Sequence, residues 1–136
     1  MSNLETIKEI YEAFGKGDVP TILSKLAEDV DWEKWSDNFS QKADVPYLRY
    51  KKGIPGVIEF FGEVANLGIK KFDVLALMEG AGRVAAEIEI EAEFFSDEEI
   101  HLWNFNDEGK VTRFRHYIDT AKHIAAAEEK TKSASS

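Results

Sequence analysis

Apolar positions divide this chain into a helical first half and a strand-rich second half. Leu4, Ile7, Ile10, Tyr11 and Phe14 recur at steps of three and four, which predicts a first helix. It ends at "GKGD", where Gly15 and Gly17 supply a C-terminal cap. Asp18 caps a second helix with Pro20 in its first turn and Ile22, Leu23 and Leu26 as its buried stripe. In "DVDWEKW" the step falls to two: Val30 and Trp32 point one way, Asp31 and Glu33 the other. Residues 36–53 are irregular. Gly53 and Pro55 open a third helix with Val57, Phe60, Phe61 and Val64 inward, closed by "NLG". Strands follow near 69–79, 83–95, 98–106 and 111–119, with turns at "EGAG", "SD" and "NDEGK". A last helix starts near Asp119 or Thr120. The small, polar residues 128–136 are expected to be a disordered tail beside one domain over 1–127.

Helices followed by a meander imply an α+β domain, with the helices gathered on one side of a curved antiparallel sheet. Strict alternation shows which face is inward. Ala86, Ile88, Ile90, Ala92 and Phe94 are apolar, whereas Glu87, Glu89, Glu91 and Glu93 between them are acidic. His101, Trp103 and Phe105 form one inward row, and Phe114, His116 and Ile118 the next. If "NDEGK" pairs Asn106 with Val111, Trp103 faces Phe114 and His101 faces His116. A two-residue Ser96–Asp97 loop would set Ala92 opposite His101 and Ile90 opposite Trp103. Directly opposed side chains have Cβ atoms about 4.5–5.5 Å apart. The inner face would then carry two adjacent imidazoles beside a small alanine and an aromatic wall. Such a pair cannot both be charged cheaply, so one should be depressed in pKa. Either they contact a ligand as base and donor, or they are satisfied core histidines.

Composition narrows the function classes. The net charge is −9, which argues against nucleic acid, because phosphate binding needs a basic footprint. There is no cysteine, which excludes disulfides and thiolate metal sites. No apolar run approaches the roughly 20 residues that span a bilayer. "MSNLETIKEIYEAF" lacks a basic segment followed by an apolar one, so the expectation is a cytoplasmic protein with no membrane partner. Aromatic residues make up 12 % of the chain, which suits a thick core or an aromatic-lined cavity. Trp32 is read as a pocket residue or a core aromatic, and Tyr11 as a cavity-floor hydroxyl or a bridge from core to surface. Trp35, Tyr47 and Tyr50 lie in or before the segment expected to rim the pocket. The Glu87–Glu93 row diverges along roughly 20 Å of strand and reads as solvated rather than as a metal site. With no acid expected beside His101 and His116, no metal is expected there. His123 is expected to be exposed.

The segments "IYEAFGKGDVPTILSKLAEDVDWE", "KGIPGVIEFFGEVA" and "HLWNFNDEGKVTRFRHYIDTA" resemble, in that order, the SnoaL-like polyketide cyclase family of the nuclear-transport-factor-2-like (NTF2-like, ketosteroid-isomerase-like) superfamily. The likeness covers about residues 4–126. It implies a cone-shaped α+β barrel with a pocket, and a homodimer through the sheet. It also implies cofactor-independent isomerase, cyclase or lyase chemistry on a small apolar or aromatic molecule, or a non-catalytic binding module. Ile88 and Ile90 take the places of the Arg and first Asp of epoxide hydrolases of this fold, and His116 that of their second Asp. That argues against epoxide hydrolysis and makes the isoleucines pocket lining. SnoaL-type cyclases use a pocket acid and a nearby histidine. Asp119 falls at the matching "Y-x-D" position and His101 at the "H-x-aromatic" position, although Asp119 is equally suited to cap the last helix. The expected site is therefore His116 as base, His101 as partner and Asp119 as acid. Trp32, Trp103, Phe114, Tyr11, Tyr50, Ile88 and Ile90 would hold the substrate.

Overall fold

The computed structural model describes residues 2–135. Helix α1 (Asn3–Gly15) opens on Ser2, whose side chain accepts the backbone N–H of Glu5 at 3.1 Å. Asp18 caps α2 (Val19–Ser24) through the backbone and hydroxyl of Thr21. Leu26, expected in the stripe of that helix, instead starts strand β1 (Leu26–Trp32). The irregular segment contains a short helix α3 (Phe39–Lys42), a 3-10 turn at Pro46–Leu48 and a two-residue strand β2 (Lys51–Lys52). Helix α4 (Gly53–Val64) follows, then β3 (Lys71–Gly80), β4 (Arg83–Glu91), β5 (Ser96–Phe105), β6 (Val111–Tyr117) and α5 (Thr120–Ser135). α5 thus runs on through residues 128–135 of the segment read as a polar tail, and Ser136 lies outside the described residues. Ala125, Ala126 and Ala127 favour helix there, and the Lys130 ammonium reaches the Asn66 carbonyl.

The six strands lie in the order β2-β1-β6-β5-β4-β3. β1 runs parallel to β6, and every other pair is antiparallel. The sheet is curved and mixed rather than a closed barrel, with β2 and β3 as its edges. α1, α2 and α4 fill its hollow. Ile7, Ile10, Val30, Trp32, Val57, Phe60, Trp103 and Phe114 form the main core, and Ala86, Ile88 and Ile90 a second patch. Glu87, Glu89 and Glu91 face outward, as alternation requires.

Two hairpins decide the site. Between β5 and β6 the expected pairs His101–His116 and Trp103–Phe114 are present. The register shifts near the loop, however, and Val111 pairs with Phe105 rather than Asn106. Between β4 and β5 the turn is Ala92–Phe95, not Ser96–Asp97, and the pairing slips by six residues. The cause is local: the Glu93 N–H donates to the Leu67 carbonyl, and Gly68 at φ +65° lets that backbone come close. An even slip keeps the faces. Ala86 rather than Ala92 opposes His101, Val84 opposes Trp103, and Ile90 opposes Asp97.

α4 carries Phe60, Phe61 and Val64 to the hollow and meets β2 at Gly56. A Cβ there would lie 2.9 Å from Lys51 Cβ and 3.2 Å from the Lys51 carbonyl carbon. In an open helix Gly→Ala stabilises by about 1 kcal/mol. Here the contact reverses the sign, and Gly56→Ala is expected to lose roughly 1–3 kcal/mol in urea unfolding; a stabilised variant would contradict this packing.

Candidate active site

On β5 the inward row is Asp97, Glu99, His101 and Trp103, all buried between exposed or half-buried neighbours. The expected inner face without an acid is therefore wrong. Glu99 lies two residues from His101 and shares its parity, so the same alternation that finds the histidine also finds the carboxylate. Placing a turn at Ser96–Asp97 removes Asp97, but not Glu99, from that row.

The rings of His101 and His116 stand edge to face with centroids 4.6 Å apart. His101 Nε2 lies 2.9 Å from Glu99 Oε1, and His101 Nδ1 lies 2.8 Å from the Tyr11 hydroxyl. Trp103 Nε1 donates to that hydroxyl at 3.1 Å. On the far side of Glu99, His123 Nε2 lies 3.2 Å from Oε2 and 2.7 Å from Asp97 Oδ2. The Tyr47 hydroxyl bonds His123 Nδ1. His123 is 1 % exposed and fastens α5 to the sheet, contrary to the expectation that it faces solvent. It shares the inward face of α5 with the buried Ala126, three residues on.

The partner of His116 is Glu33. Simple alternation along β1 points Glu33 outward, but its φ of +61° turns the chain and brings the carboxylate in. Its backbone N–H donates to the Phe114 carbonyl and its carbonyl accepts from Gln41 Nε2, which hold this uncommon conformation in place. Glu33 Oε1 accepts the backbone N–H of His116 and lies 3.2 Å from Nδ1. That second contact is an ion contact, off the direction of a hydrogen bond, so Nδ1 has charge nearby but no bonded partner.

These surroundings push the two imidazoles apart. Burial drives His101 below its ordinary value, helped by the charge of His116 and opposed by Glu99. Burial would depress His116 too, but the carboxylates of Glu33 and Glu99 outweigh it and raise the pKa. Burial also disfavours ionised Glu99, yet hydrogen bonds from His101 and His123 and the charge on His116 hold its carboxyl far below the usual range. Tyr11 and Tyr47 are both raised, chiefly by burial.

A cavity of about 60 Å³, measured as space open to a water-sized sphere, lies against this polar wall. Tyr11, Trp32, Ile90, Trp103, Phe114, His101 and His116 of the expected site line it, together with Glu99, His123 and Tyr47. Three expected residues do not. Ile88 is fully buried in the second patch. Tyr50 is exposed and donates to Asp31, because the chain after the 3-10 turn runs along the sheet edge. Asp119 is exposed beyond the end of β6, where its carboxylate accepts the Lys122 N–H as the cap of α5. Among the described residues, Glu99–His101–His116 and Asp97–Glu99–His123 each offer three metal-ligating atoms within 4.8 Å of one another. Glu99 thus stands beside the histidine pair, contrary to expectation, and these atoms are largely engaged with each other.

No protein-family model matches the chain, and neither does any curated protein. Solved structures do. An NTF2-like protein of unknown function from Burkholderia pseudomallei is 28 % identical with a TM-score of 0.72, covering 93 % of this chain and 98 % of its own. TerC, co-crystallised with polyporic acid, is 25 % identical with a TM-score of 0.74 over the same shares, 93 % and 98 %. A steroid delta-isomerase from Pseudomonas aeruginosa is 16 % identical with a TM-score of 0.72, covering 99 % of this chain and 94 % of its own. The curved mixed sheet filled by helices, together with these likenesses, shows that the chain has the NTF2-like fold.

Proposed function

We propose that this protein binds a small apolar or aromatic carbonyl compound in its cavity and moves protons on it. The single observation that carries this reading is the pair His101 and His116, adjacent at the cavity with opposite pKa shifts. Groups whose environments separate their acidities suit acid–base work, because one can give a proton while the other is neutral. The roles differ from the sequence expectation. His116, favoured in its charged form, serves as acid and donor toward the ligand oxygen rather than as base. Trp32, Trp103 and Phe114 supply the apolar walls. The SnoaL-like resemblance, and the aromatic lining, support isomerisation, cyclisation or a related lyase step that needs no cofactor. The co-crystallisation of TerC with polyporic acid supports small-molecule binding in a chain of this fold.

A second reading, a non-catalytic module, has one observation in its favour. Trp32 stacks on Phe114 at 4.2 Å and Trp103 approaches Phe114 at 4.4 Å, so aromatic rings fill much of the hollow. A cavity of about 60 Å³ is small beside ligand sites of roughly 300–1,000 Å³. Ligands must be compact, or the rings must move.

Titrating cyclopentanone and acetophenone into the protein, followed by backbone and histidine NMR shifts, separates the readings. Saturable shifts at Trp103, Phe114 and His116 are expected. His116→Ala should weaken binding roughly ten- to a hundredfold, the range for losing a charged hydrogen bond. If neither ketone shifts these signals, or His116→Ala binds equally well, the proposal fails.

We also propose a homodimer through the outer face of the sheet. Leu75 and Met78 on β3 and Tyr117 on β6 are exposed there. Light scattering should give twice the 15.4 kDa chain mass, and Leu75→Glu should return it to the monomer value. A monomeric parent protein would contradict this.

A further inference from the structure

We propose that Tyr11 is the residue that exchanges a proton with the ligand carbon, backed by His101 and Glu99 as a relay. This deepens the pocket reading above and rests on it. A tryptophan indole nitrogen only donates, so the 3.1 Å contact makes the Tyr11 oxygen an acceptor from Trp103. The Tyr11 proton then has one partner, His101 Nδ1 at 2.8 Å, which must be the bare nitrogen. The proton of neutral His101 therefore sits on Nε2, where Glu99 Oε1 accepts it at 2.9 Å. The result is a carboxylate that orients an imidazole, whose free nitrogen draws on a hydroxyl. That is the general arrangement by which a weak hydroxyl is made into a working base. One lone pair of the Tyr11 oxygen remains unclaimed, and Tyr11 lines the cavity.

The relay completes a balanced step with His116. With Nδ1 turned to Glu33, Nε2 of His116 is the nitrogen left for a ligand. A C–H bond beside the ligand carbonyl breaks and its proton bonds to the Tyr11 oxygen. The Tyr11 O–H proton passes to His101 Nδ1. The C–H electron pair becomes the C=C bond, the C=O pair moves onto oxygen, and that oxygen takes the proton from His116 Nε2. A ketone becomes an enol, nothing is oxidised or reduced, and return of the proton to another carbon gives an isomer. The imidazole pair carries one positive charge before the step, on His116, and one after it, on His101 beside Glu99. Two imidazoles with ring centroids 4.6 Å apart tolerate one charge far better than two, and the step never asks for two. Nor does it require a free phenolate, which burial disfavours at Tyr11.

Two measurements test the relay. Long-range ¹H–¹⁵N NMR of the free protein at pH 7 reads the tautomer of His101 and needs no ligand. Neutral His101 with its proton on Nε2 is expected. A proton on Nδ1, or on both nitrogens, overturns the relay. The second follows deuterium uptake from D2O into the carbons beside the carbonyl of cyclopentanone. The wild type should exchange them faster than buffer. Tyr11→Phe should lose that gain by at least about 100-fold, within the range for removing a general acid or base. It should still fold and still show the probe's shifts at Phe114 and His116. Tyr11→Phe exchanging as fast as wild type overturns the relay, and so does a wild type that binds the ketone without exchanging it. If the ketone shifts no cavity signal, the pocket reading fails, and the tautomer alone decides whether the Tyr11–His101–Glu99 arrangement stands.

Discussion

A carboxylate sunk into an aromatic core must be neutralised where it stands, and Glu99 is neutralised from both sides. His101 meets one oxygen from the same strand, and His123 meets the other from the last helix. The group is 6 % exposed, so without those partners its desolvation would cost several kcal/mol. Each neighbour depends on it in turn. Glu99 accepts the proton of His101, helps hold α5 against the sheet, and adds to the field that raises the pKa of His116. Buried ion pairs are weak evidence for stability, because burying the charges costs about what their pairing returns. The arrangement is better understood as a device that biases a proton toward His116 and away from His101.

Around that wall the rest of the core is apolar and mostly aromatic. Phe114 sits among Trp32, Trp103 and His116 at ring separations of 4.2 to 4.6 Å. In so dry a setting electrostatic interactions act with little screening, which makes small changes in proton position consequential. The same packing leaves little free space. The cavity thus favours a compact ligand with one polar end, and specificity falls to the few groups that can meet its oxygen.

Period-two alternation made the strands and their inward rows legible in the sequence, and with them the facing of His101 and His116. Any even slip preserves it, which is why a six-residue error between β4 and β5 left the rows intact and merely replaced Ala92 by Ala86. Glu99 was within reach of the same rule. Glu33 was not, because a positive φ on a glutamate reverses the side chain and leaves no trace in a hydrophobic pattern. His123 was missed for a different reason: a polar residue on a polar helix reads as exposed unless its partners on another element are known. Asp119 matches a position that the family resemblance offers and Tyr50 lies in the segment expected to rim the pocket, but a strand that ends at Tyr117 and a segment that runs along the sheet edge place both at the surface.

The buried carboxylates favour a proton on His116 and burial disfavours one on His101. Glu33, just past the end of β1, and Glu99 on β5 face His116, and His101 is its competitor for a proton. A pKa raised above the unfolded value stabilises the fold below about pH 6.5 and is lost as pH rises through the folded value. His101, depressed, acts in the opposite sense: the unfolded chain takes up a proton below about pH 6.5 that the folded chain refuses. The most direct measurement is an NMR pH titration of both imidazoles in the free protein. The account predicts His116 titrating above 6.5 and His101 below it, with Glu33→Gln lowering the His116 value. Both rings titrating together near 6.5, or the order reversed, would contradict it.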